Sequence, residues 1–123
     1  MMSIGLGVWG ALLASVLLSA TAQVFLKIGS KQIEFQSGVV GLATSALLAP
    51  PIWAGLLLYV ASVGAWVFVL SKMDLSAAYP FVGLGFILTT ALGVILLGEA
   101  VSVGRIVGTL LVVIGCFLVA RTV

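Results

Sequence analysis

Long apolar runs dominate the chain, and its few charges punctuate them. No charge occurs from Met1 to Leu26, and the pattern predicts a first span over about residues 4–28. The next uncharged stretch, Phe35 to Ser71, is too long for one crossing and is divided by Pro50 and Pro51. Pro51 suits the first turn of a helix, which predicts a second span over residues 52–70 with Trp53 near an interface. The remainder, "QSGVVGLATSALLA", is 14 residues, and residues 36–49 fit an interfacial or re-entrant helix or an extension of the second span. A third span covers residues 75–98, with Asp74 as N-cap and Pro80 either near its start or kinking it. A fourth covers residues 101–120, with Arg105 and Arg121 snorkelling to bracket its 15 uncharged residues from Ile106 to Ala120.

A hydrocarbon core of roughly 30 Å takes about 20 apolar residues in a helix, so these runs predict an all-α membrane protein. Four transmembrane helices then fill one domain over residues 1–123, with almost nothing left outside the bilayer. Barrel strands would instead give alternating segments of about ten residues. A composition of 63% apolar and 7% charged residues excludes a soluble domain, which needs polar surface to cover itself. Ala20, Thr21 and Ala22 imitate a signal-cleavage site, but no Lys or Arg precedes the apolar run and the run exceeds a signal core, so the segment is expected to be retained.

Positive charges set orientation, and here they nearly balance. Lys27, Lys31 and Arg105 fall on one side, and Lys72 and Arg121 on the other. That balance points to dual topology, or to pairing with an oppositely oriented partner.

Polar residues within spans carry the functional information, because each is unfavourable in hydrocarbon without a partner, cavity or substrate. Ser15, Ser19, Gln23 and Lys27 recur every four residues and form a slowly drifting stripe on the first helix. The stripe reads as the wall of a polar cavity leading to a cation near the surface. The plainer alternative is interhelical hydrogen bonding with a snorkelling Lys27. Gly83 and Gly85 in the third span, and Gly104, Gly108 and Gly115 in the fourth, permit close helix packing or dimerisation. Glu99, at the end of the third span and six positions before Arg105, reads first as a helix boundary with a local ion pair or capping contact, and second as a substrate contact.

The chain has no His and a single Cys, Cys116, which leaves nothing for a metal site or an intrachain disulfide. No phosphate-binding loop or catalytic triad is present, so neither a cofactor nor an enzymatic role is expected. A net charge of +2 from scattered cations gives no nucleic-acid footprint.

The run "AAYPFVGLGFILTTALGVILLGEAVSVGRIVGTLLVVIGCFLVA", Ala77 to Ala120, resembles the second half of four-helix members of the drug/metabolite transporter superfamily, with an EamA-like "LLGE" ending. "TAQVFLKIGS" extends the likeness: Gln23 and Lys27 have the spacing found in undecaprenyl-phosphate aminoarabinose flippase subunits. Residues 35–49 are longer than that pattern. The small multidrug resistance branch shares the plan and the Gly108 to Gly115 spacing, but its proton-exchanging glutamate corresponds to Ser19, which cannot titrate in that range.

The resemblance implies a multi-pass protein of the bacterial inner membrane. It would act as a homodimer or as a heterodimer with a paralogous four-helix subunit, moving a polyprenyl-phosphate-linked amino sugar through membrane lipid. Lys27 would hold the phosphate, Ser15, Ser19 and Gln23 would replace water around the sugar, and Tyr79 would add its hydroxyl. The alternatives are a small-solute or cationic-drug transporter without the usual acid, and a non-transporting assembly subunit.

Overall fold

A computed structural model describes residues 4–122, all of whose regular elements are helical. In chain order they are α1 (Leu6–Ser30), α2 (Gly38–Leu47), α3 (Pro50–Leu70), α4 (Leu75–Ala78), a 3-10 turn (Tyr79–Val82), α5 (Gly83–Leu97) and α6 (Val103–Ala120). Four segments are long and apolar enough to cross a membrane: α1, α3, α6 and the composite Leu75–Leu97. The chain is a multi-pass membrane protein.

Helix α1 packs most extensively against α3, and small residues set their separation. A Cβ added at Gly55 would meet Leu26 Cγ at 2.8 Å and the Ala22 carbonyl oxygen at 3.1 Å, so the α3 backbone lies directly on the last turns of α1. Gly29 meets Ile52 in the same way, at 2.9 Å from its backbone nitrogen. With hydrocarbon on the outside, no hydrophobic drive pulls helices together, and such close approach supplies the dispersion contact that holds them. The buried cluster at the opposite end joins Val8, Leu12 and Val16 of α1 to Val69, Met73, Ala78 and Phe81. Trp9 closes it edge-on against Phe81, with ring centroids 5.3 Å apart.

The prolines act as boundaries. Ala49 is extended (φ −98°, ψ 102°), as the residue before a proline must be, and α3 starts at Pro50. This resolves residues 36–49: α2 is a separate ten-residue helix with no buried residue. At about 1.5 Å per residue it spans only half a bilayer core. Trp53 Nε1 donates to the Leu47 carbonyl oxygen at 2.9 Å and ties the two helices at their junction.

Pro80 divides the third span instead of merely starting it, giving one turn of α-helix, a 3-10 turn and then α5. Asp74 stands at the N-cap position, but its side chain makes no cap bond; its carbonyl oxygen takes the Ala77 and Ala78 amides. The span ends where Gly98 turns left-handed (φ 66°), a conformation that disfavours any side chain. Helix α6 begins with a side-chain cap, the Ser102 hydroxyl accepting from the Arg105 amide at 3.1 Å.

Alternating directions place the C-terminal ends of α1 and α5 with the N-terminal ends of α3 and α6. Lys27, Trp53, Glu99 and Arg105 therefore share one end of the bundle, and Lys72, Asp74 and Arg121 the other.

Candidate functional site

Between α1, α3 and α5 lies a cleft of about 470 Å³. From α1 come Ser15, Ser19 and Gln23; from α3, Tyr59, Ser62 and Trp66; from the 3-10 turn, Tyr79; and from α5, Gly85 and Thr89. Ser19 is near the centre of the 25-residue α1, which puts the cleft at mid-depth of the bundle. Gly85 leaves room at the wall: a Cβ there would touch nothing closer than Val16 Cγ1, at 3.9 Å.

Not every polar group here is free to meet a ligand. Ser15 is buried, and its hydroxyl donates to the Ser62 carbonyl oxygen at 3.0 Å, linking α1 to α3. Ser62 in turn donates to the Tyr59 carbonyl oxygen at 2.6 Å, and Ser19 to the Val16 carbonyl oxygen at 3.0 Å within its own helix. Both hydroxyls keep acceptor lone pairs. Gln23 is exposed on the cleft wall, with its whole amide available. The Tyr79 ring packs edge-on to Trp66, with centroids 6.3 Å apart, which holds it at the rim.

The sequence stripe thus divides. Ser15, Ser19 and Gln23 are brought together with Tyr79 and Gly85, while Lys27 is exposed one turn further on and does not line the cleft. Tyr59, Ser62, Trp66 and Thr89 were not singled out in the sequence. Their signal is present: Tyr59, Ser62 and Trp66 repeat at three and four residues, the spacing of one helix face.

The cleft lining holds no Asp, Glu, Lys or Arg. Its chemistry is that of neutral hydroxyls and an amide beside aromatic rings, suited to hydrogen-bonding a polyhydroxyl group while rings cover its apolar faces.

The glycines divide too. Gly83 is buried against Cys116 and Val112 of α6, so this pair sets the α5–α6 approach. Cys116 Sγ also donates to the Pro80 carbonyl oxygen at 2.7 Å, satisfying a group at the helix break. Gly108 and Gly115 have nothing within 4 Å of an added Cβ, and only Cys116 of α6 is buried. Gly104 meets only the Ser102 hydroxyl, at 4.0 Å.

Glu99 and Arg105 do not form the local ion pair that their sequence separation suggests: among the described residues no ion pair falls within 4.0 Å. Arg105 Nη1 donates instead to the Ala100 carbonyl oxygen at 2.7 Å.

Several known proteins are similar to the chain over most of its length. The chain is 32% identical over 113 residues to a protein of Enterobacter sp. (strain 638), covering 87% of this chain and 89% of the relative. That relative is named "Probable 4-amino-4-deoxy-L-arabinose-phosphoundecaprenol flippase subunit ArnF". This chain is also 30% identical over 113 residues to a protein of Pseudomonas aeruginosa (strain UCBPP-PA14) named as the probable flippase subunit ArnE, covering 90% of this chain and 95% of the relative. A third similar protein, subunit ArnE of Pseudomonas savastanoi pv. phaseolicola, is 28% identical over 92% of this chain and 96% of its own length. No protein-family profile and no solved structure matches the chain.

Proposed function

Since this chain belongs to the family of 4-amino-4-deoxy-L-arabinose-phosphoundecaprenol flippase subunits ArnE and ArnF, we propose that it is one subunit of a flippase carrying a polyprenyl-phosphate-linked amino sugar between the leaflets of the bacterial inner membrane. The observation that carries this reading is the uncharged cleft at mid-depth, lined by Ser19, Gln23, Tyr59, Tyr79 and Thr89. A sugar leaving water needs its hydrogen bonds replaced, and these groups replace them while the isoprenoid tail stays in lipid. Lys27, exposed one turn beyond Gln23, supplies positive potential at the bundle end where the phosphate stays.

The subunit works as a pair, with a second copy or a paralogue as partner. The outward face of α6, with Gly104, Gly108 and Gly115, offers the close backbone approach such a contact needs. Two four-helix units enclose a path that one leaves open at its side.

The test is translocation of labelled lipid-linked amino sugar by the reconstituted chain, alone and with a paralogous subunit. Gln23→Leu is expected to lower the rate about tenfold, the loss of one or two substrate hydrogen bonds, with little change in thermal stability. Lys27→Gln should impair transport while leaving insertion intact. Wild-type rates from both Gln23→Leu and Lys27→Gln would refute the assigned path, and transport of quaternary ammonium compounds in place of the lipid would refute the substrate.

A further inference from the structure

A second recess, about 310 Å³ in volume, lies at the bundle end that carries Lys27 and is lined by Thr89, Thr90, Val94, Glu99 and Arg105. Its two charges are opposite yet unpaired among the described residues. Several features hold them there. Gly98 turns the chain back, and the Glu99 amide donates to the Gly93 carbonyl oxygen at 3.1 Å. The Glu99 carboxylate then lies over Gly93, where a Cβ would collide with Oε1. Arg105 is fixed in the first turn of α6 by the Ser102 cap and by its bond to Ala100, which uses one of its five N–H donors and leaves the others free. The helix N-terminus adds to the positive potential at this point. Thr89 lines both this recess and the mid-depth cleft.

We propose that this recess is a headgroup site for a lipid bearing both a phosphate and an ammonium group, with Arg105 binding the phosphate, Glu99 the ammonium and Thr89 the step into the cleft. An acid and a guanidinium held apart in one pocket complement a zwitterion and leave one charge unsatisfied with a purely anionic headgroup. The proposal rests on the flippase reading, whose substrate would carry both groups. An ordinary aminophospholipid has the same chemistry and is the other source.

Direct binding to the purified full-length chain separates them. The probes are undecaprenyl-phosphate 4-amino-4-deoxy-arabinose, its counterpart with a hydroxyl in place of the amine, and phosphatidylethanolamine against phosphatidylglycerol. The wild type is expected to prefer the amino sugar lipid about tenfold over the hydroxyl form, the effect of one charge-assisted hydrogen bond. Glu99→Gln should erase that preference, and Arg105→Gln should weaken both forms equally. Gly93→Ala keeps the charge but displaces the carboxylate; the only atoms within 4 Å of its new Cβ belong to Glu99. It should reproduce Glu99→Gln, with helical content and thermal stability as controls on folding. An amine preference that survives Glu99→Gln and Gly93→Ala overturns the site while leaving the flippase reading intact. Glu99-dependent binding of phosphatidylethanolamine with no binding of either sugar lipid upholds the site and overturns the substrate. No amine preference in either lipid pair overturns the site.

Discussion

The hydroxyl of Ser15 on α1 and the backbone carbonyl of Ser62 on α3 are joined by a 3.0 Å hydrogen bond, with both residues buried between the helices. Ser15 is therefore a fastening behind the cleft wall more than a group offered to its contents. Ser15→Ala is expected to lower stability in detergent by about 0.6 kcal/mol, the size of an interhelical side-chain bond in a membrane protein. Transport should remain near wild type. Thermal unfolding followed beside the translocation rate checks both, and a large transport loss at unchanged stability would return Ser15 to the substrate path.

Gly83 and Cys116 form the α5–α6 contact, and their sizes are coupled. Gly83→Ala should destabilise the protein by about 1–3 kcal/mol, because the new methyl meets the sulfur and Val112 Cγ1 at once. In the double variant with Cys116→Ala the clash with sulfur is relieved, so the combined loss should be smaller than the sum of the single losses. A double-mutant cycle measured by chemical or thermal unfolding reads this coupling; strict additivity would contradict the contact.

Gly55 supports the longest helix pair. Gly55→Ala presses on Leu26 and on the Ala22 carbonyl, a backbone group that cannot swing aside, and is expected to lower stability by about 1–3 kcal/mol. Gly64, on the same helix, has nothing within 4 Å of an added Cβ, so Gly64→Ala should be near neutral or slightly stabilising through helix propensity. Comparing the two in one unfolding assay controls for the substitution itself.

Gly108 and Gly115 open outward, so side chains there leave the protomer core untouched. Gly108→Leu and Gly115→Leu should preserve folding but weaken self-association or pairing with a paralogue by about tenfold or more, because bulk prevents close backbone approach. Förster transfer between labelled subunits in lipid measures this. Unchanged association in both variants would move the dimer contact away from this face.

The family signature shapes both the mid-depth cleft and the recess at the bundle end. "AYP" matters through the helix break at Pro80, whose carbonyl is taken by Cys116, and through Tyr79 at the rim of the cleft. The "LLGE" ending places Gly98 where a left-handed residue is required and turns Glu99 back over Gly93. The boundary role that Glu99 shows first in sequence is local, whereas the recess beside it joins α5 to α6 through space.

By itself the sequence determined the class, the number of crossings and their approximate limits. Those follow from run length against bilayer thickness and from proline's effect on its own and the preceding residue, all of which are local. It also exposed the four-residue stripe on α1. Only the tertiary structure decided which way the stripe faces: Ser15, Ser19 and Gln23 meet Tyr59, Trp66 and Tyr79 across the cleft, and Lys27 stands outside it. In a soluble protein the boundary between apolar and polar faces would reveal that orientation. A helix in lipid is apolar nearly all round, so its sequence carries little rotational information, and close contacts such as Gly55 on Ala22 and Gly83 on Cys116 set the faces instead.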